Sequence, residues 1–198
     1  MSGARKVEVG VYQKSKQGNY HCGDSYFFTE TENEFICALA DGLGSGEFAM
    51  ESSQIVVDII KDNIHATIEQ IIKKCNEKLF GKRGVVLGIL KMDFNSRSYS
   101  FSSIGNIGVM TITSNGKKKR NIPNGGFLAG YHRAFKVEGA ELDQSMNFIM
   151  FSDGVLDTEL SKRYLLATNV NEVIATYEHK NDRPKNDDTT LIAMRYTG

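Results

Sequence analysis

Residues 34–47 read Glu34-Phe35-Ile36-Cys37-Ala38-Leu39-Ala40-Asp41-Gly42-Leu43-Gly44-Ser45-Gly46-Glu47. The unbroken apolar run 35–40 is too short for an independent helix and fits a strand buried on both faces. Asp41-Gly42 ends that strand in a turn, and glycines at 42, 44 and 46 keep the next residues in a loop. Beyond Gly46 the period changes. Ala49, Val56, Ile60 and Ile64 recur at helical spacing, with Ser52 and Ser53 filling the gap, so a helix is predicted over 47–64. Strand, acidic turn, glycine loop and helix invite a nucleotide-binding reading, because the first amides of a helix can hold phosphate. The detail fails it: G-x-G-x-x-G needs glycine where Glu47 stands, and a P-loop needs lysine beside its last glycine.

Upstream, Val7, Val9 and Val11 alternate with Lys6, Glu8 and Gly10, the period of a half-buried strand. Residues 25–31 form a strand that pairs with 34–40 through a turn at Glu32-Asn33. Downstream, Thr67 and Gln70 make a capping box ahead of Ile68, Ile71, Ile72, Cys75 and Leu79, which predicts a second amphipathic helix. Three strands follow at 84–93, 98–104 and 107–113, with turns at Asn95-Ser96, Gly105-Asn106 and Asn115-Gly116. After a glycine-rich loop at 123–130 come strands at 134–137 and 147–152, a polar helical stretch from Thr158 and a short helix at 172–177. A charged loop, 179–187, leads to a final strand, 189–196. The expected class is α+β, sheet packed on sheet with helices on the outer faces, and a chain of 198 residues reads as one domain over 1–198.

The chain carries 24 basic and 24 acidic residues, and this neutrality argues against a nucleic-acid partner, whose phosphates are held by concentrated basic charge. Its longest apolar runs, such as 85–90, are far short of a membrane span. Residues 1–10 lack a secretory apolar core, so a cytoplasmic location is expected. Cys22, Cys37 and Cys75 contain no C-x-x-C pair and read as reduced thiols, two of them packed.

Four aspartates stand where apolar strands meet small-residue turns: Asp24 before Ser25, Asp41 before Gly42, Asp153 before Gly154, and Asp187 in Asn186-Asp187-Asp188-Thr189. Any single Asp-Gly pair is an ordinary turn. Asp41 and Asp153 differ, because they end buried strands, where a carboxylate needs a partner to offset its lost hydration. Carboxylates plus a carbonyl such as that of Gly42, completed by water, match the way magnesium or manganese is held. His21, His65, His132 and His179 lack zinc-like spacing. Two such cations bridged by one carboxylate would lower the pKa of a shared water and stabilise a charged phosphoryl oxygen, with no protein nucleophile required.

The order Gly23-Asp24, Ala40-Asp41-Gly42-Leu43-Gly44-Ser45-Gly46, Ser152-Asp153-Gly154 and Asp187-Asp188-Thr189-Thr190 resembles the metal-dependent protein phosphatases of type 2C. Cys22-Gly23-Asp24-Ser25 and Lys82-Arg83-Gly84 are similar to the bacterial stress-response and sporulation members. The resemblance implies a four-layer α-β-β-α sandwich of two antiparallel sheets, with two Mn2+ or Mg2+ ions at one edge. It implies hydrolysis of phosphoserine or phosphothreonine on a stress-signalling phosphoprotein of the sigma-factor regulatory, stressosome type, by metal-bound hydroxide. Asp41 would bridge both metals, the Gly42 carbonyl would bind one, Asp153 and Asp187 the other, and Asp24 would complete the site directly or through water. Asp41 and Asp153 are then the catalytic centre.

The chain departs from the larger members in three places. Asn19-Tyr20-His21 stand where an arginine grips the substrate phosphate, Gly105-Asn106 replaces a Gly-Asp pair, and a flap insertion is missing. Arg83 and His21 are the candidates for contact with the substrate phosphate, and both have blander readings as a solvated strand start and a polar loop residue. The run 117–120 reads as edge protection. Expected partners are a phosphorylated signalling protein, with no nucleic acid and no membrane, and the chain is expected as a monomer. The rival reading is a non-catalytic module that binds a phosphorylated partner.

Overall fold

The computed structural model describes residues 5–198; the amino-terminal expectation above falls partly on residues 1–4, outside them. Ten strands form two five-stranded antiparallel sheets. One has the order β1-β10-β9-β6-β7 and the other β2-β3-β4-β5-β8. The strands of the first sheet are β1 Val7–Lys14, β6 Gly108–Ile112, β7 Lys118–Arg120, β9 Asn147–Phe151 and β10 Thr189–Tyr196. Those of the second are β2 Asp24–Glu30, β3 Glu34–Gly42, β4 Val85–Asp93, β5 Ser98–Ile104 and β8 Glu138–Glu141. Helices α1 Glu47–Asp62 and α2 Ile68–Lys78 lie on the second sheet, while α3 Asp157–Leu160 and α4 Val170–Lys180 accompany the first.

Strand parity sorts the side chains into three cores. Phe35, Cys37 and Leu39 of β3 point between the sheets and meet Phe148, Met150, Ile192 and Met194. Their neighbours Ile36, Ala38 and Ala40 point the other way, against Val56, Ile60, Ile71 and Cys75 of the helices. This two-sided burial explains the uninterrupted apolar run in the sequence. On the far side Ile149, Phe151 and Leu191 pack on Val173 and Tyr177 of α4. The layers are therefore α-β-β-α, as expected, and Cys37 and Cys75 are buried free thiols.

Several boundaries move. Residues 134–137 do not form a strand; β8 lies at Glu138–Glu141, paired with β5. Phe135 and Val137 still turn toward the helical core, but side chains satisfy the backbone between them. The Lys136 N–H donates to Asn124 Oδ1, and its carbonyl accepts from Ser102 Oγ. Alternating burial thus occurs without a hydrogen-bonded ladder. α1 stops at Asp62, where Asn63 donates back to the Ile59 and Ile60 carbonyls. α4 begins at Val170, capped by Asn169, and continues through His179 and Lys180 rather than ending at 177. The Thr67–Gln70 capping box forms as expected, and β7 at the end of its sheet carries the basic run.

Candidate metal centre

Asp41 shares the parity of Phe35, Cys37 and Leu39, so it points between the sheets at the end of that face. In the β2–β3 register Asp24 lies directly opposite Asp41, and directly opposed residues project to the same side. The other sheet brings Ser152, Asp153 and Thr190 to the same edge, because Ser152 continues the inward series Phe148, Met150 and Thr190 precedes Ile192, Met194. The predicted convergence is therefore a consequence of strand parity at one rim of the sandwich.

Asp24 is 3% exposed. Its Oδ2 accepts from Ser152 Oγ at 2.7 Å and Thr190 Oγ1 at 2.6 Å, while its Oδ1 is buried with no partner. Burial raises this carboxyl to about 6, against the lowering effect of the two hydroxyls. Asp41 is pushed up to about 8, first by burial and then by Asp24, Asp153, Asp187 and Asp188. Asp153 is also raised, by burial and then by Asp187. Five carboxylates thus share one neighbourhood, and the forces acting on Asp41 all oppose its charge. Among the described residues no three His, Cys, Asp or Glu side chains close around a single point.

The backbone beneath is held close by glycine. A Cβ on Gly42 would lie 2.0 Å from the Ala49 carbonyl of α1, and one on Gly154 would lie 2.3 Å from the Asp188 carbonyl. Gly23 packs beneath Asp188 Oδ2 and within reach of the Gly42 carbonyl oxygen, which a Cβ there would approach to 3.7 Å. This donor set, hard oxygens including one buried orphan, fits divalent magnesium or manganese: Asp41, Asp153, Asp187, Asp24 and the Gly42 carbonyl could hold such ions.

Sequence reading missed four supporting residues. Asp188 is 5% exposed and accepts from the Lys16 and Gly23 amides, each at 2.8 Å, tying the β1–β2 loop to the start of β10. Ser152 and Thr190 orient Asp24, and Asn106 Nδ2 donates to Asp153 Oδ2 at 2.6 Å. Asp188 and Thr190 belong to the quoted Asp-Asp-x-Thr motif and Ser152 to Ser-Asp-Gly, and Asn106 stands where the larger members carry a Gly-Asp pair, so a signal existed for each, though not for the contact each makes. Arg83 lies on the lip of the glycine loop, where its guanidinium donates to the Leu43 carbonyl at 3.2 Å and sits 5.6 Å from the Phe48 ring centre. His21 is exposed and borders a shallow depression with Asp24 and Ser25. Burial, with Asp24 and Asp188, pushes the Cys22 thiol up to about 12, which keeps it protonated and unsuited to nucleophilic attack.

Two antiparallel sheets flanked by helices, with carboxylates gathered at one rim, define the class as the type 2C phosphatase fold. Within that class the chain belongs to the SpoIIE family, whose signature, that of Stage II sporulation protein E, matches residues 32–197. It is 31% identical over 188 residues to phosphoserine phosphatase RsbX of Bacillus subtilis (strain 168), covering 95% of this chain and 94% of that one. The crystal structure of RsbX in complex with magnesium superposes with a TM-score of 0.88 at 32% identity, covering 99% of this chain and 98% of that one. The PP2C phosphatase domain of SpoIIE from Bacillus subtilis shares the fold, with a TM-score of 0.78 at 19% identity over 96% of this chain and 63% of that one.

Proposed function

We propose that the chain, as one domain, is a metal-dependent protein phosphatase that removes phosphate from phosphoserine or phosphothreonine on a bacterial stress-signalling protein. The observation that carries this reading is the rim of carboxylates around Asp41, with an unpartnered buried Asp24 oxygen, in a fold whose relative RsbX is a phosphoserine phosphatase seen with magnesium. Two bound Mn2+ or Mg2+ ions would supply Lewis-acid polarisation of the phosphoryl oxygens and a lowered pKa for water.

In this reading Asp41, Asp153, Asp187, Asp24 and the Gly42 carbonyl would hold the ions, with Asp41 at the centre of the set. Ser152 and Thr190 fix the rotamer of Asp24 by holding one oxygen, leaving the other for the site. Asn106 fixes one oxygen of Asp153. Arg83, whose guanidinium donates to the Leu43 carbonyl on the lip of the glycine loop, would meet the incoming phosphate. His21, exposed beside Asp24 at a shallow depression, would exchange a proton with the departing serine oxygen.

The test is phosphate release from a phosphoserine protein with Mn2+. Release is expected, EDTA abolishes it, and Mn2+ or Mg2+ restores it. Asp41→Asn and Asp153→Asn each lower turnover by orders of magnitude with the fold intact by circular dichroism. Stable binding of the phosphoprotein with its phosphate retained across a full metal titration would instead identify a non-catalytic module.

A further inference from the structure

A cleft of 470 Å³ opens directly beside the carboxylate rim, with Asp153 and Asp187 among its walls. Its other walls come from Leu156 and Glu159 at α3 and from the end of α4 with the loop that follows, which presents Lys180, Arg183 and Lys185. Among the described residues none of these three cations has a carboxylate within ion-pair distance. Glu159 of α3 also lines the cleft; it accepts the Tyr164 hydroxyl at 2.8 Å and keeps its negative charge near Lys185. Leu156, 61% exposed, adds an apolar surface.

The loop is anchored. The Gln17 amide donates to the Lys185 carbonyl at 2.9 Å, and the ammonium of Lys185 lies 5.7 Å and 5.5 Å from the ring centres of Tyr12 and Tyr177. Its last residues are tied by Asp188 to the Lys16 and Gly23 amides. Lys180 and Arg183, which form no ion pair among the described residues, therefore stand next to the proposed metal centre beside a loop anchored at Lys185 and Asp188.

We propose that this cleft receives the acidic polypeptide segment flanking the phosphoserine of the substrate protein, with Lys180 and Arg183 selecting for Asp and Glu there; the inference rests on the phosphatase reading. Charge complementarity at a rim favours encounter and excludes wrong partners more than it adds raw affinity. A chain lying in the cleft passes Asp153 and Asp187, so its phosphorylated side chain reaches the carboxylate rim. Leu156 contributes contact for one apolar side chain of the same segment.

The experiment uses the full chain with Mn2+ and two phosphoserine peptides of equal length, one flanked by Asp and Glu and the other by Asn and Gln, with p-nitrophenyl phosphate to establish turnover. The wild type is expected to favour the acidic peptide through a lower KM, a preference that fades as salt is raised. In the K180E/R183E variant the ratio of kcat/KM for acidic over neutral peptide falls about tenfold, and in the milder K180Q/R183Q variant about threefold. Binding of the unphosphorylated acidic peptide, read by fluorescence anisotropy, weakens in parallel. An active wild type that treats both peptides alike overturns the inference, as does a ratio unchanged by the substitutions. Equal loss on both peptides overturns it too, because the cations would then be gripping the phosphate itself. Absence of turnover on every substrate is a different result: it sinks the phosphatase reading and this inference with it.

Discussion

Asp24 and Asp41 face one another across a strand pair, and their raised pKa values carry a consequence for stability. A carboxyl with a folded pKa of about 8 against about 3.9 unfolded binds more protons folded than unfolded between those limits. Stability of the metal-free protein therefore falls as pH rises from about 4 to about 8, and levels off above. Thermal melts in EDTA at pH 5 and pH 8 should show the lower Tm at pH 8, and Mn2+ should reverse the order because it binds the ionised groups. Asp41→Asn removes the repulsion, so its metal-free form at pH 8 melts roughly 2–4 °C higher for each kcal/mol relieved. Asn106→Ala frees one Asp153 oxygen and should move the midpoint of Mn2+ activation upward by about tenfold, as loss of a ligand's supporting hydrogen bond does. Asp24, Asp41, Asp153 and Asp187 were legible in the sequence because each punctuates a strand. The Asn106 contact was not, since it joins residues 47 apart in the chain and exists only once β6 lies beside β9.

At the scale of elements, the β3–loop–α1 unit holds the site through contact between backbones. Gly42 lies under the Ala49 carbonyl with no room for a Cβ, so Gly42→Ala must push α1 from the sheet. The expected loss is about 3 kcal/mol or more, from overpacking where backbone cannot yield, read by chemical denaturation; a loss under about 1 kcal/mol would show that the contact can relax. Thr67→Ala deletes the cap of α2 and should cost about 1 kcal/mol without altering activity. The capping box and the two-faced strand were readable because local chemistry determines them. The β8 position was not, because Asn124 and Ser102 replace ladder partners at Lys136, and such substitution by remote side chains leaves no periodic trace. The extent of α4 was masked by the charges at 178–180, which ordinary helix ends tolerate.

At the scale of the whole molecule, the core between the sheets holds them at the spacing the rim requires. Phe148, fully buried there and edge-on to Tyr99 with ring centres 5.0 Å apart, is a measure of that role: Phe148→Ala should cost about 3–5 kcal/mol. Asn147 at the start of the same strand is tied to Ala167 and Arg195, so the strand's position is fixed at its end as well. The layered architecture was legible because inward and outward parity is written in β3, β9 and β10 alike, whereas the order of strands within each sheet depends on pairings far apart in sequence. β10 is the last strand along the chain, yet it sits between β1 and β9 and brings Asp187, Asp188 and Thr190 to the rim. A nascent polypeptide leaving the ribosome consequently has two open strand edges and an incomplete carboxylate rim until residues 187–196 emerge. On the proposed function, activity is withheld until β10 has been made, and a product truncated before β10 would be both inert and prone to self-association.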